Sequence, residues 1–241
     1  MMDIEDVLRG MNIPVSLDGK ERKTFTPPKI SEIQAVCADT DEVKNNKITE
    51  YLAKANIPKR FKPSTFELLD NHGVPKWCKD EYEQVKGYAR NFKANKEKGY
   101  GIIFSGSVGT MKTTLAVACL QSVISQGYRG YFVSMPELLD ILFSSEKQDR
   151  REFEKSVKSV GLLVIDDMGA EYGTDWVVNK VDSIITHRYN ELLPTIITTN
   201  LTKEEMKGRY MERVYDRLKQ TSLMFSGTSD SLRTSPKVVT R

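Results

Sequence analysis

Cysteine and histidine are scarce in this chain: three of one and two of the other in 241 residues. Cys37, Cys78 and Cys119 are odd in number and far apart, so neither a disulfide framework nor a zinc ligand set fits. No apolar run approaches the ~20 residues that cross a bilayer, and the opening MMDIEDVLRG lacks a signal-peptide core. A reducing, cytoplasmic setting is the expectation. A strong charge bias is missing too. The net charge of +3 and pI near 8.6 permit contact with nucleic acid without arguing for it. Repeats and low-complexity tracts are absent. Hydrophobic residues at 39% and charged residues at 29% suit a soluble globular protein, long enough for one full domain and a smaller appendage.

What is present divides near residue 55. Residues 1–55 hold a small apolar cluster (Val7, Leu8, Met11, Ile13), a polar stretch with Pro27-Pro28, and a helix expected from Asp39 to Ala55. That helix has a thin apolar stripe of Val43, Ile48, Tyr51 and Leu52. Such a segment buries little alone; it is either an arm packing on the main domain or a docking element for a protein partner. From Ile57 onward strands and helices alternate, which predicts an α/β fold with a parallel sheet covered on both faces. Helices are expected over 80–95, 112–125, from Ser134-Pro136, through the charged EKQDRREFEKSVKS, and over 175–190. Strands are expected at 101–105, 129–134, 162–166 and 194–200.

Residues 101–114, GIIFSGSVGTMKTT, set an apolar strand, a Gly-containing loop and Lys-Thr at a helix start. This is the layout of a nucleoside triphosphate cradle, with loop N–H groups turned toward phosphate. Gly106, Ser107, Val108, Gly109, Thr110, Met111, Lys112, Thr113 and Thr114 form its wall. Lys112 would reach the β/γ-phosphates and Thr113 would ligate Mg²⁺. Met111 stands where the pattern G-x-x-x-x-G-K-[ST] has glycine. Ordinary binding, binding with weak hydrolysis, and a site that fills only in an oligomer are all compatible with it. Weakened turnover is favoured, and Met111→Gly is expected to tighten binding at least ~tenfold. Downstream, Leu162–Asp167 is an apolar strand that delivers two acids to a ligand-binding sheet edge. Asp166 is placed to hold Mg²⁺, and Asp167 to orient or deprotonate the attacking water. Asn200 ends a further strand and is either a water- or phosphate-sensing amide or a turn residue. Arg213 and Arg217 share a helical face. They would be an arginine that enters a neighbour's site, or surface partners of Glu212 and Asp216.

The ordered set IPKRF (57–61), GSVGTMKTT, LLVIDDMGAE, LPTIITTN, ERVYDRL and SLR (231–233) resembles the DnaC/DnaI-type replicative helicase loaders of the AAA+ superfamily. The resemblance spans about residues 56–235. It implies a P-loop AAA+ ATPase core at 56–241 without a separate helical lid, which fits a chain that ends soon after Arg233. It implies phosphate contact by Lys112, metal binding by Thr113 and Asp166, Asp167 as the catalytic acid, and Asn200 as sensor 1. Arg217 takes the finger role, with Arg213 as the alternative, Arg233 a sensor-2-like role, and Phe61 lines the adenine pocket. ATP/ADP and Mg²⁺ are the implied cofactors. The implied work is ATP-dependent: a homo-oligomer that binds single-stranded DNA and opens a hexameric replicative helicase, docked through residues 1–55. An IstB-type transposition helper shares nearly all these motifs, and a nucleotide-switched adaptor with little hydrolysis is the other reading.

Overall fold

In the computed structural model, residues 43–144, 146–169 and 175–227 are described. By contacts the chain divides into Met1–Thr40 and Asp41–Arg241, and every described residue belongs to the second unit. A helix through 43–54 (α1) leads to Phe66–His72 (α2), Lys79–Arg90 (α3) and Phe92–Glu97 (α4). The core follows as Gly101–Gly106 (β1), Lys112–Ser125 (α5), Gly130–Ser134 (β2), Met135–Ser144 (α6), Lys147–Ser159 (α7) and Leu162–Met168 (β3). It closes with Asp175–Asn190 (α8), Thr195–Thr199 (β4), Lys203–Thr221 (α9) and Ser222–Gly227 (β5). All pairings are parallel, in the order β2-β3-β4-β1-β5.

Alternate side chains of each strand point to opposite faces, and two apolar layers result. Ile102, Phe104, Leu162, Val164 and Ile196 pack with α5 and α3 on one face. Ile103, Leu163, Ile165 and Ile197 pack with α6, α8 and α9 on the other. Helix α5 is apolar nearly all round because it lies between the sheet and α3; nine of its residues are buried. The α/β alternation expected from the sequence is the fold, and no described helix is long and apolar enough to cross a membrane.

Three local differences have physical causes. The expected helix over 80–95 breaks at Asn91, which leaves helical geometry while its side-chain amide donates to the Gly87 carbonyl at 3.0 Å. Strand β5 was not anticipated. SLMFSG holds three apolar residues between serines, and its extended form comes from pairing along the whole of β1. In α1, Val43 and Leu52 of the expected apolar stripe are exposed, whereas Ala55 just after it is fully buried.

The outer rim of β2 is occupied by the start of the unit. The Ala55 carbonyl accepts from Phe132 N–H at 2.8 Å. Asn56, at φ 55°, donates from its amide to the Phe132 carbonyl at 3.1 Å and to Glu137 at 3.0 Å. At the N-terminal edge of the sheet, Arg188 is fully buried with no carboxylate partner among the described residues. Its guanidinium donates to the carbonyls of Val157 (2.9 Å), Val160 (2.9 Å) and Pro194 (2.6 Å) and to Thr195 Oγ1 (2.9 Å). It pins the end of α7 to the entry of β4.

Candidate nucleotide site

The loop after β1 turns at Gly106, where φ is 132° and an added Cβ would lie 1.9 Å from the Gly227 carbonyl oxygen. Only glycine permits that approach. The loop then folds over Lys112. Its ammonium donates to the carbonyls of Gly106 (2.8 Å) and Ser107 (2.6 Å), so the charge is held within the curl rather than in solvent. Met111 caps α5 in the left-handed region at φ 63°, ψ 7°. An L side chain there costs about 1–2 kcal/mol. The Met111 side chain packs partly against the apolar layer under α5, while the residue also borders the cavity.

The acidic strand end is shaped by threonines. Asp166 is buried, and its Oδ1 accepts from Thr113 Oγ1 at 2.8 Å and from Thr198 Oγ1 at 2.6 Å. Its Oδ2 receives no hydrogen bond from the described residues. Burial pushes the Asp166 carboxyl above the ordinary carboxylate range. The two hydroxyls and Lys112 pull against that shift, and Asp167 adds to it. The β3–β4 ladder slips between Ile165 and Met168, and there Asp167 takes φ 54° and becomes exposed. Its N–H donates to Thr198 Oγ1 at 2.9 Å, and Thr199 Oγ1 donates to the Met168 carbonyl at 2.5 Å. Two threonines of β4 thus hold the bulge that turns Asp167 out of the ladder.

One cavity of about 620 Å³ brings these groups together, within the ~300–1,000 Å³ range of small-ligand pockets. It is lined by Phe61, Val108, Gly109, Thr110, Met111, Lys112, Thr113, Thr114, Asp166, Asp167 and Asn200, together with Arg60 and Ser64. Gly106 and Ser107 border an adjoining groove that shares Asn200. Arg217 is not here. It lines a crevice at the opposite edge of the sheet with Gly101, Thr195 and Ser222, the first residues of β1, β4 and β5. Arg213 and Arg217 pair with Asp182 of α8 at 2.6 and 3.1 Å, not with Glu212 or Asp216. Arg233 lies outside the described residues.

Sequence reasoning passed over Thr198 and Gln121, while Arg60, read only as part of IPKRF, lines the cavity with Phe61. The Thr198 signal was the Thr-Thr pair that closes the strand TIITT. Gln121 of α5 donates to the carbonyls of Lys62 (3.2 Å) and Ser64 (2.7 Å), which fixes the turn behind Phe61. The donor set suits a hydrated divalent cation. Asp166 Oδ2 is open, Thr113 Oγ1 stands beside its other oxygen, and burial disfavours an uncompensated carboxylate. Thr113 and Asp166 are the residues that would hold Mg²⁺, which when bound screens phosphate charge and lets the terminal phosphorus accept a nucleophile.

Comparison with known proteins gives the family and the fold. The IstB-like ATP binding protein family matches residues 88–238. The chain is 28% identical over 193 residues to an uncharacterized protein, YqaM, of Bacillus subtilis; the match covers 76% of this chain and 61% of that protein. It is 31% identical over 131 residues to the replicative helicase loader DnaI of the same organism, covering 54% of this chain and 42% of the loader. The chain thus spans about two fifths to three fifths of the length of these relatives. A crystal structure of the DnaC helicase loader superposes with a TM-score of 0.61 at 30% identity, over 70% of this chain and 99% of that one. The DnaI crystal structure, at 22% identity and a TM-score of 0.62, shares the fold.

Proposed function

The chain belongs to the IstB-like ATP-binding protein family, and from that premise we propose that it is an ATP-dependent loader of a hexameric replicative helicase. The observation that carries the ATPase part is the cavity itself, where the glycine-turned loop, the Asp166–Asp167 strand end and Asn200 meet. In this reading Lys112 and the loop N–H groups grip the phosphates, and Thr113 with Asp166 holds the metal. Asp167 accepts the proton of the attacking water, Asn200 orients that water, and Phe61 faces the base. In the same reading residues 56–241 supply this machinery, and residues 1–55 dock the helicase. Similarity to DnaI and to the DnaC structure supports the loader role.

In this reading single-stranded DNA stacks on the paired rings of Phe143 and Trp176. They stack at 4.1 Å with 58% and 37% of their surfaces exposed, and Lys180 lies over the indole at 5.8 Å. Exposed aromatic faces suit base stacking, while Lys180 of α8 is already paired with Glu154 of α7 at 3.2 Å. The charged helix α7 contributes less, because its own Glu154 also takes its Lys158. Arg217 lies at the far edge of the sheet, so any contact it makes with a triphosphate is with that of another copy in a homo-oligomer.

The test mixes the full chain with its cognate hexameric helicase and single-stranded DNA, with and without ATP. ATP-dependent helicase capture, and DNA-stimulated phosphate release that falls at least ~100-fold in Asp167→Asn, are the expected results. Capture of a transposase in place of the helicase would instead establish the transposition-helper reading, which the family match also favours. Firm ATP binding without DNA-stimulated hydrolysis would establish the adaptor reading, for which the left-handed Met111 speaks.

A further inference from the structure

We propose that Asp182 is a positioning residue that aims Arg213 and Arg217 at the nucleotide cavity of an adjacent copy of this chain; this rests on the shared-site reading above. The carboxylate is largely buried, with 16% of its side-chain surface exposed, between α8 and α9. Its Oδ2 accepts from Arg213 Nη2 at 2.6 Å. Its Oδ1 accepts from Arg217 Nη1 at 3.1 Å and from Thr186 Oγ1 at 3.1 Å. Thr186 Oγ1 in turn accepts from Arg217 Nη1 at 2.8 Å. One acid on one helix therefore gathers two arginines that sit a turn apart on the next.

How the guanidiniums are held decides between storage and presentation. A guanidinium carries five N–H donors in a rigid fork. Arg217 spends a single nitrogen, Nη1, on both Asp182 and Thr186, and Arg213 spends only Nη2 on Asp182. Neither forms the bidentate pair that would use up its fork. Arg213 and Arg217 also keep 55% and 29% of their side-chain surface exposed. Two positive charges against one negative leave a net positive patch for phosphate oxygens. Adjacent acids do not compete: Glu212 lies 4.0 Å from Lys207, and both arginines pair with Asp182 rather than with Glu212 or with Asp216, three residues on from Arg213. Without Asp182 two flexible side chains must be ordered against their rotamer entropy at the moment of encounter.

Mixed oligomers test this. Donor subunits carrying Lys112→Ala, and so unable to turn over ATP themselves, are added in excess to wild-type subunits on single-stranded DNA. Phosphate release then reports what a neighbour supplies. Asp182→Asn placed only in the donor is expected to lower kcat at least tenfold with KM for ATP unchanged. Adding Arg217→Ala and Arg213→Ala to that donor should lower it little further. Asp182→Glu in the donor should restore part of the rate, and it stands in if the Asn variant fails to fold by thermal unfolding. An unchanged or raised rate with Asp182→Asn, while the arginine variants lower it, overturns the positioning role and leaves the shared site intact. Unchanged rates with both arginines replaced overturn the shared site itself.

Discussion

At the C-terminal edge of the sheet Asp166 is buried with one oxygen bonded to two hydroxyls and the other lacking a protein donor among the described residues. At the N-terminal edge Arg188 is buried more deeply still, and three carbonyls and a hydroxyl satisfy it. Neither forms an ion pair among the described residues, and burial lowers the pKa of the arginine and raises that of the acid. The difference lies in completeness. A saturated buried ion is a structural tie, whereas an unsaturated one is a vacancy in the hydrogen-bond scheme that a cation can fill. The backbones do not share the contrast: Met111 and Asp167 take left-handed φ values beside the cavity, and Leu192 takes one close to Arg188.

The largest way to break this contrast is at the saturated end. Arg188→Ala orphans several carbonyls and opens a cavity, and should cost about 3 kcal/mol or more. Thermal unfolding should then fall by roughly 6–12 °C while ATP affinity is kept; a loss near zero would show that Arg188 is no tie. The opposite sign is expected at the other end. Asp166→Asn keeps an oxygen for both threonines and removes the charge, so it should stabilise the metal-free protein by about 1 kcal/mol near neutral pH while abolishing hydrolysis. The folded Asp166 carboxyl holds its proton to higher pH than the unfolded one. Between those two values the native state binds more protons, so wild-type stability falls as pH rises. The gain from Asn should therefore shrink on acidification below the folded value, as urea melts at several pH values would read. Smallest is Met111→Gly. The free loop already holds the left-handed turn, so relief of strain appears in the fold more than in binding. ATP affinity measured by calorimetry should rise by less than tenfold, below the tenfold or more that the sequence pattern suggested.

Much of this end of the molecule was readable in advance because phosphate chemistry dictates residue types. The loop, Asp166, Asp167, Asn200 and Phe61 were named from pattern and resemblance, and all but Gly106 and Ser107, which border the adjoining groove, line one cavity. The chain's order of helices and strands from β1 to β4 followed from periodicity. What escaped was whatever depends on partners distant in sequence. Thr198 matters only because β4 lies against β3. Strand β5 exists only because β1 offers it an edge. Asp182 looks like any helical surface acid until α9 brings two arginines beside it.

The covering of Phe132 by Ala55 and Asn56 reaches beyond local tidiness. A bare strand rim invites lateral zippering with any extended peptide, including another molecule of the same kind. Here the middle of that flank, at Phe132, is already taken by the chain's own backbone and one amide. A strand added there would have to displace those bonds, which steers copies that meet on the β2 flank toward side-chain contacts that form and release far more readily than a shared sheet.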